Sequence, residues 1–246
     1  MDAKEDRLAR ALLAARRAGG RTDGSEPMPT DRDAAYRVQA AVAAGWGAVG
    51  AWKTGPRPGG PPIMAPIFAD RVRASPAAFA PGELDLIGVE LEVAFRVTAP
   101  LPDPRAPDFA RAARDCVAAL PAIEVVDARI AAGPEGPPLL KLADNQVNGG
   151  LVCGPEADGF GPLSAMEAEL TIGGEVVHRG PAEVPGGDAF EHFAAFARMV
   201  GRHCGGLAAG QVVATGSLTG LRFIGRGLPV HGRIEGLGEV RAEFPA

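Results

Sequence analysis

Gly88-Val89-Glu90-Leu91-Glu92-Val93-Ala94-Phe95 is the stretch on which the fold turns. Side chains of a strand alternate, so Val89, Leu91, Val93 and Phe95 share one face while Glu90 and Glu92 share the other. The odd positions, β-branched, aliphatic and aromatic, belong against a core. Two carboxylates at i and i+2 are costly to bury without partners, and burial drives each toward its neutral form. A hard divalent cation removes that cost, because Mg²⁺ and Mn²⁺ prefer carboxylate oxygens as ligands. On spacing alone, a strand whose even face is simply wet accounts for the same pattern.

Pro121-Ala122-Ile123-Glu124-Val125-Val126-Asp127-Ala128 again sets an acid inside a β-branched run, where a charge is least expected. Two strands that each embed Glu among Val, Ile and Leu suggest one shared cage of Glu90, Glu92 and Glu124. A salt bridge at a strand edge is the competing account of Glu124. Asp127 either supports the cage or pairs with Arg129 at the strand end.

Working outward, Leu8, Leu12 and Leu13 recur at helical spacing until Gly19-Gly20 stops them. Thr30 or Asp31 can cap a second helix through Ala44, with Ala35, Val38 and Val42 on one face and Gly45 just past its end. These helices form a small N-terminal lobe over residues 1–50. Residues 51–246 then read as short strands between turns, in keeping with 34 glycines and 23 prolines in the chain. Strands are expected at 89–97, 122–128, 151–153, 167–172, 212–215 and 240–244, and helices at 108–119 and 189–203, where Phe193, Phe196 and Val200 share a face. The segments 100–107 and 133–138 read as loops. The fold class is α+β and strand-dominated, with a sheet too long to stay flat and therefore closed or rolled.

Composition excludes several functions. The chain has 246 residues, 46% hydrophobic and 22% charged, enough to bury a real core. A net charge of -5, with Arg interleaved among Asp and Glu, argues against nucleic-acid binding. No apolar run reaches the length a membrane span needs. An amphipathic start in place of an apolar signal core points to the cytoplasm. Cys116, Cys153 and Cys204 lack Cys-x-x-Cys spacing and read as free thiols.

Further polar groups stand near the acids in sequence logic. Lys53, in Trp52-Lys53-Thr54-Gly55, is one of only three lysines, and an ammonium in an apolar run is a candidate general acid or base. The stretch from Leu142 to Gly150, with Asp144, Asn145, Gln146 and Asn148, is either a ligand-contacting loop or an ordinary turn. Val213-Ala214-Thr215-Gly216-Ser217-Leu218-Thr219-Gly220 runs a strand into a turn rich in N–H and hydroxyl donors, suited to a carboxylate. The histidines at 178, 192, 203 and 231 have no zinc-helix spacing. No nucleophile elbow, P-loop or dinucleotide fingerprint is present.

In this order, these segments resemble the 2-keto-4-pentenoate hydratase group of the fumarylacetoacetate hydrolase superfamily. The resemblance rests on Ala51-Trp52-Lys53-Thr54-Gly55, Ile67-Phe68-Ala69-Asp70, Glu90-Leu91-Glu92-Val93-Ala94-Phe95, the 121–129 stretch, Ala143-Asp144-Asn145, Gly216-Ser217-Leu218-Thr219 and Gly236-Leu237-Gly238-Glu239-Val240. It implies a mixed β-sheet roll around Mg²⁺ or Mn²⁺, with Glu90, Glu92 and Glu124 as ligands. It also implies proton transfer by Lys53 and Asp70 in a common cavity, and contacts from Asn145, Ser217 and Thr219 to a small 2-oxo or 2-hydroxy-dienoic acid. A homo-oligomer is expected from it as well. The implied reaction is hydration of a 2-hydroxy-2,4-dienoate to a 4-hydroxy-2-oxo acid. Decarboxylation of a 2-oxo-dioate of the 4-oxalocrotonate type is the alternative, and a non-catalytic 2-oxo-acid-binding relative is a third reading. The chain departs from the group at 56–62, at Ala69 where some relatives carry a second Asp, and at Gln146-Val147-Asn148. A dioate would need a cation for its second carboxylate, such as Arg57 in the altered 56–62 wall, or Arg71. The C–C hydrolase branch is disfavoured, because residues 1–177 contain no histidine.

Overall fold

Two helices open the chain. Helix α1 (Ala3–Ala18) begins at Asp2, whose carboxylate accepts from the N–H groups of Lys4 and Glu5 while Glu5 accepts from the N–H of Asp2. It ends at Gly19, left-handed at φ 65°. Helix α2 (Arg32–Trp46) starts from an Asp31 cap and runs past the expected stop at Ala44. Gly45 is a packing residue instead: a Cβ there would lie 2.7 Å from Leu13 Cδ1, so its bareness lets α1 and α2 approach.

The structure is a computed structural model that describes residues 1–56 and 60–246. Arg57 lies outside the described residues. The strands follow as β1 (Val49–Lys53), β2 (Ala65–Phe68), β3 (Val72–Ala74), β4 (Ala77–Ala78), β5 (Gly88–Val97), β6 (Val117–Val126) and β7 (Asn148–Cys153). After them come β8 (Ala165–Ile172), β9 (Glu175–Glu183), β10 (Val212–Ser217), β11 (Arg222–Phe223), β12 (Val230–Ile234) and β13 (Gly238–Glu243). Three further helices are α3 (Phe109–Ala113), α4 (Pro138–Ala143) and α5 (Ala189–Val200).

One mixed sheet runs β2-β1-β10-β5-β6-β7-β3, with β11 added on β5. Its two outer strands, β2 and β3, are consecutive in the chain and joined only by the 3-10 turn Ala69–Arg71. The ends of the sheet must therefore meet, and the sheet is rolled upon itself. Asn148 helps to close it by donating its side-chain N–H to the carbonyl of Pro66, 3.0 Å away. A second sheet, β4-β13-β12-β8-β9, packs against the outside of the roll near β6.

The alternation of the 88–97 run decides which side each residue serves. Leu91, Val93 and Phe95 point outward into a core with α5, where Phe95 meets Phe190 and Phe193 at ring-centre distances of 5.7 and 5.5 Å. Glu90, Glu92 and Ala94 point into the roll. The helical lobe shares its core with the roll: Leu8, Leu12, Val38 and Val42 pack with Phe68, Val126, Ile130 and Leu142. β1 begins at Val49, so the expected boundary near Gly50 falls inside the first strand.

Two expected elements are corrected. The 108–119 helix is only α3 plus the 3-10 turn Arg114–Cys116, and β6 starts at Val117, five residues earlier than expected. Pro121 sits inside this central strand without a penalty. Its carbonyl and nitrogen face β7, which has already ended, and the carbonyl accepts from Gly154 N–H at 2.8 Å. The expected 189–203 helix stops at Val200 before Gly201.

A three-glutamate, one-lysine candidate site

Glu90 and Glu124 are direct partners across the β5–β6 ladder, and Glu92 follows two residues along on the same face. Directly opposed strand residues hold their Cβ atoms about 5 Å apart. One carboxylate oxygen from each of Glu90, Glu92 and Glu124 falls within 4.8 Å of the other two. Glu92 and Glu124 are almost wholly buried, whereas Glu90 retains some exposure at the rim.

Below the acids, the same face carries Ala94 on β5, Ala122 on β6, Ala51 on β1 and Ala214 on β10, all fully buried. This alanine floor lets the strands approach inside the roll and leaves the carboxylates in an apolar surrounding. Lys53, two residues past Ala51, rises from the same side. Its Nζ donates to Glu124 Oε1 at 2.7 Å and lies 3.6 Å from Glu90 Oε2. On the opposite face Trp52 is buried and its Nε1 donates to Gln211 Oε1 at 3.1 Å, which fixes the strand that presents the lysine.

A register shift between Ala214 and Ser217 breaks the β10–β5 ladder next to Glu92. Gly216 takes φ 119° there, a conformation natural only to glycine, and its N–H donates to Glu92 Oε2 at 2.8 Å. Ser217 stands opposite Glu92 with its hydroxyl buried and without a hydrogen-bond partner among the described residues. Glu124 Oε2 is buried and unpartnered in the same way. The Thr219 hydroxyl accepts from Leu91 N–H at 3.4 Å, which leaves its proton free to donate.

Three carboxylates and one ammonium leave this pocket with excess negative charge. Burial pushes the Glu92 carboxyl well above its ordinary value, and Glu124 and Glu90 push it further. Burial also raises Glu124, partly opposed by Lys53. Burial pulls Lys53 down, but the attraction of Glu124, Glu90 and Glu92 wins and holds its proton more tightly than usual. A divalent cation fits this donor set, since it would neutralise the excess charge and satisfy Glu124 Oε2.

The raised carboxyls fix how the metal-free protein responds to pH. Their stabilising protons are fully bound below the unfolded value near 4.5 and are lost as pH rises through the raised folded values. In chelator, denaturant stability is expected to fall between about pH 5 and about pH 8, by on the order of 1–3 kcal/mol. A profile that stays level or rises over that range would contradict the assignment.

Asn145 is fully buried, with both side-chain amide atoms unpartnered among the described residues. Asn145, Gln146 and Val147 all hold left-handed φ angles, at 52°, 53° and 55°. Such strain in non-glycine residues persists only where neighbours enforce it. Here Asn148 donates to the Asn145 carbonyl at 2.6 Å and to Pro66, next to Ala65, the β2 partner of Lys53. On the other side, Asp144 holds Arg129 through Nε at 2.7 Å and also accepts its backbone N–H. The sequence reading did not offer this buried brace; of its two readings for Asp127, the pair with Arg129 is present at 3.8 Å.

Asp70 lies in the 3-10 turn Ala69–Arg71 that follows β2. It lies beyond Phe68, which pairs with Val49 at the far end of the β1–β2 hairpin from Lys53. Four strand residues span roughly 13 Å. Its carboxylate is half exposed, accepts from Trp46 Nε1 at 3.3 Å and pairs with Arg71 at 3.7 Å. Two residues on, Val72 pairs with Leu151, which pairs with Glu124.

A mixed sheet rolled around buried carboxylates, with a lysine held among them, defines a rolled α+β protein with an acidic centre. Residues 51–244 match the model of the fumarylacetoacetate (FAA) hydrolase C-terminal family, and the chain belongs to that family. It is 31% and 30% identical to 2-keto-4-pentenoate hydratases 2 and 1 of Dechloromonas aromatica (strain RCB), across 96% of this chain and 96% and 95% of theirs. Its fold is similar to 4-oxalocrotonate decarboxylase from Pseudomonas putida G7, complexed with magnesium and adipate, with a TM-score of 0.76 at 18% identity and 97% coverage of both chains. It is also similar to fumarylpyruvate hydrolase from Pseudomonas aeruginosa, in complex with Mn²⁺ and pyruvate, with a TM-score of 0.56 at 16% identity over 79% of this chain and 88% of that one. Among the described residues, no helix is long and apolar enough to cross a membrane.

Proposed function

We propose that the protein is a divalent-metal-dependent hydratase that converts a small 2-hydroxy-2,4-dienoate into a 4-hydroxy-2-oxo acid. The observation that carries this reading is Lys53 Nζ, held against Glu124 and Glu90 on the face that also presents Glu92 and Ser217. Glu90, Glu92 and Glu124 would hold Mg²⁺ or Mn²⁺, which supplies Lewis-acid polarisation of the 2-oxygen. Ser217, Thr219 and Asn145 contribute donors for the acid's oxygens, two of them buried and unpartnered among the described residues.

Lys53 handles the proton. Hydration needs the 2-hydroxyl proton of the dienol removed and a proton delivered to C5, which gives an unsaturated ketone, and then water added with its OH at C4 and its proton at C3. An ammonium held by Glu124 and Glu90, with the charge of Glu92 nearby, keeps its proton. With their charge shared by a cation, the carboxylates would hold Lys53 less tightly, and Lys53 could pass its proton on. The buried alanine floor keeps stray water from competing. The cytoplasm and a homo-oligomeric state go with this reading. The hydratase relatives support it across nearly the full chain.

A 2-oxo-dioate decarboxylase needs a cation for the second carboxylate. Arg71 is already tied to Glu83, through the carbonyl at 3.0 Å and the carboxylate at 3.6 Å, and to Asp70. The test is product analysis with 2-hydroxypenta-2,4-dienoate and a 4-oxalocrotonate-type dioate, each with Mg²⁺ and with chelator. Mg²⁺-dependent formation of the 4-hydroxy-2-oxo acid is expected. Carbon dioxide release from the dioate, with the dienoate untouched, would replace hydratase by decarboxylase. Turnover of neither would favour a binding protein. Asp70→Asn is expected to cost less turnover than Lys53→Met.

A further inference from the structure

β11 is a two-residue strand laid antiparallel on the mouth end of β5, with Arg222 opposite Val89 and Phe223 opposite Gly88. Opposed residues share a face of the sheet, so Phe223 stands on the side of Gly88, Glu90 and Glu92. Continuing the same register sets Leu221 opposite Glu90. Three apolar groups converge on bare Gly88: a Cβ built there would lie 2.8 Å from Leu221 Cδ1, 2.9 Å from Val126 Cβ and 3.0 Å from Phe223 Cε1. Val126 follows Glu124 by two residues and so shares its face. Val126 is buried, but Leu221 and Phe223 are 38% and 51% exposed, large apolar side chains left at the lip of a polar site.

Resting on the hydratase reading above, we propose that Leu221 and Phe223, backed by the buried Val126, form the wall that receives the distal hydrocarbon end of the substrate. The preferred substrate is then a mono-acid dienoate with an apolar C5 or C6 end, rather than a dioate. The scale fits. Gly88 is two strand residues from Glu90, about 7 Å, and C2 to C6 of an extended chain spans four C–C bonds, about 5 Å. An acid held by its carboxylate and 2-oxygen at the glutamates thus lays its far end against these side chains. Arg222, opposite Val89, alternates to the other face and offers the wall no charge.

The test uses non-reacting acids, so that binding is read apart from turnover. With Mg²⁺ present, calorimetric Kd values are compared for pyruvate, 2-oxobutanoate, 2-oxohexanoate and 2-oxoadipate. Affinity is expected to rise about twofold to fourfold per added methylene, as for methylenes entering an apolar surround. 2-Oxoadipate is expected to bind more weakly than 2-oxohexanoate. Leu221→Ala and Phe223→Ala should flatten the series while pyruvate binding and the Mg²⁺-dependent melting shift hold. Phe223→Arg should reverse the order of 2-oxoadipate and 2-oxohexanoate.

A flat series in the unaltered protein, or tighter binding of 2-oxoadipate, overturns the wall and leaves the hydratase reading standing. A rising series with no dienoate turnover does the reverse. If none of the four acids binds with Mg²⁺, both fail together. A change of oligomeric mass in Phe223→Ala with an unaltered series would make this patch a subunit contact and end the proposal.

Discussion

Glu92→Gln is expected to abolish both turnover and the stabilisation that Mg²⁺ gives, while the metal-free variant melts above the metal-free wild type. Both halves follow from one charge. Glu92 is 1% exposed and faces Glu90 and Glu124, so in the absence of a cation its ionisation is opposed by burial and by two like charges. Gln keeps the shape and still accepts the N–H of Gly216. Removing the charge therefore relieves repulsion in the apo protein. It also removes one of three anionic ligands, and the affinity of an oxygen cage for a hard divalent cation falls with its charge count. For wild type, a ligand at a hundred times its Kd adds about 2.7 kcal/mol, and a chain of this size gains roughly 2–4 °C per kcal/mol. The expected melting shift is thus about 5–10 °C for wild type and near zero for the variant. A Glu92→Gln protein that keeps its Mg²⁺-dependent shift would move the ion out of this cage.

The acids were legible because a charge inside a β-branched run contradicts its surroundings. Alternation in 88–97 then fixed which face each residue serves, and the strand forms over Gly88–Val97. The segment from Val117 to Leu120 was read in part as helix for an equally local reason. Alanine favours helix when nothing else decides, and only the ladder to Ala94–Val97, some twenty residues away, overrides it. Gly45 illustrates the same limit. As a stop signal it was plausible, but its use depends on Leu13 of another helix.

The alanine floor could not be read at all. Ala51, Ala94, Ala122 and Ala214 are unremarkable in sequence, and their meaning appears only when four strands bring them into one layer. Asp70 shows the converse. Its neighbours matched a family motif, and the β1–β2 register sets it against Trp46 and Arg71. Motif order predicts which residues a fold has retained. It does not predict register, which depends on pairing between distant segments. The contact of Lys53 with Glu124 spans 71 positions, and no local pattern in the sequence signals it.

Lys53→Met and Lys53→Arg separate the two jobs of this lysine, as a counter-charge and as a proton carrier. In the metal-free protein it offsets Glu124 at 2.7 Å in a setting with little solvent. Lys53→Met leaves that buried carboxylate without a partner, a change that typically costs about 3–5 kcal/mol. Mg²⁺ should then bind at least as tightly as in wild type, because the one positive competitor for the carboxylates is gone. Turnover should nevertheless fall by about 10²–10⁴, the usual contribution of a positioned proton-transfer group. Metal binding and catalysis thus move in opposite directions, which general damage to the site would not produce. Lys53→Arg restores the charge, but a guanidinium keeps its proton at any working pH. It should recover most of the lost metal-free stability and little of the lost rate. If Lys53→Arg instead turns over dienoates near the wild-type rate, the lysine serves only as a counter-charge, and the proton must travel by another group.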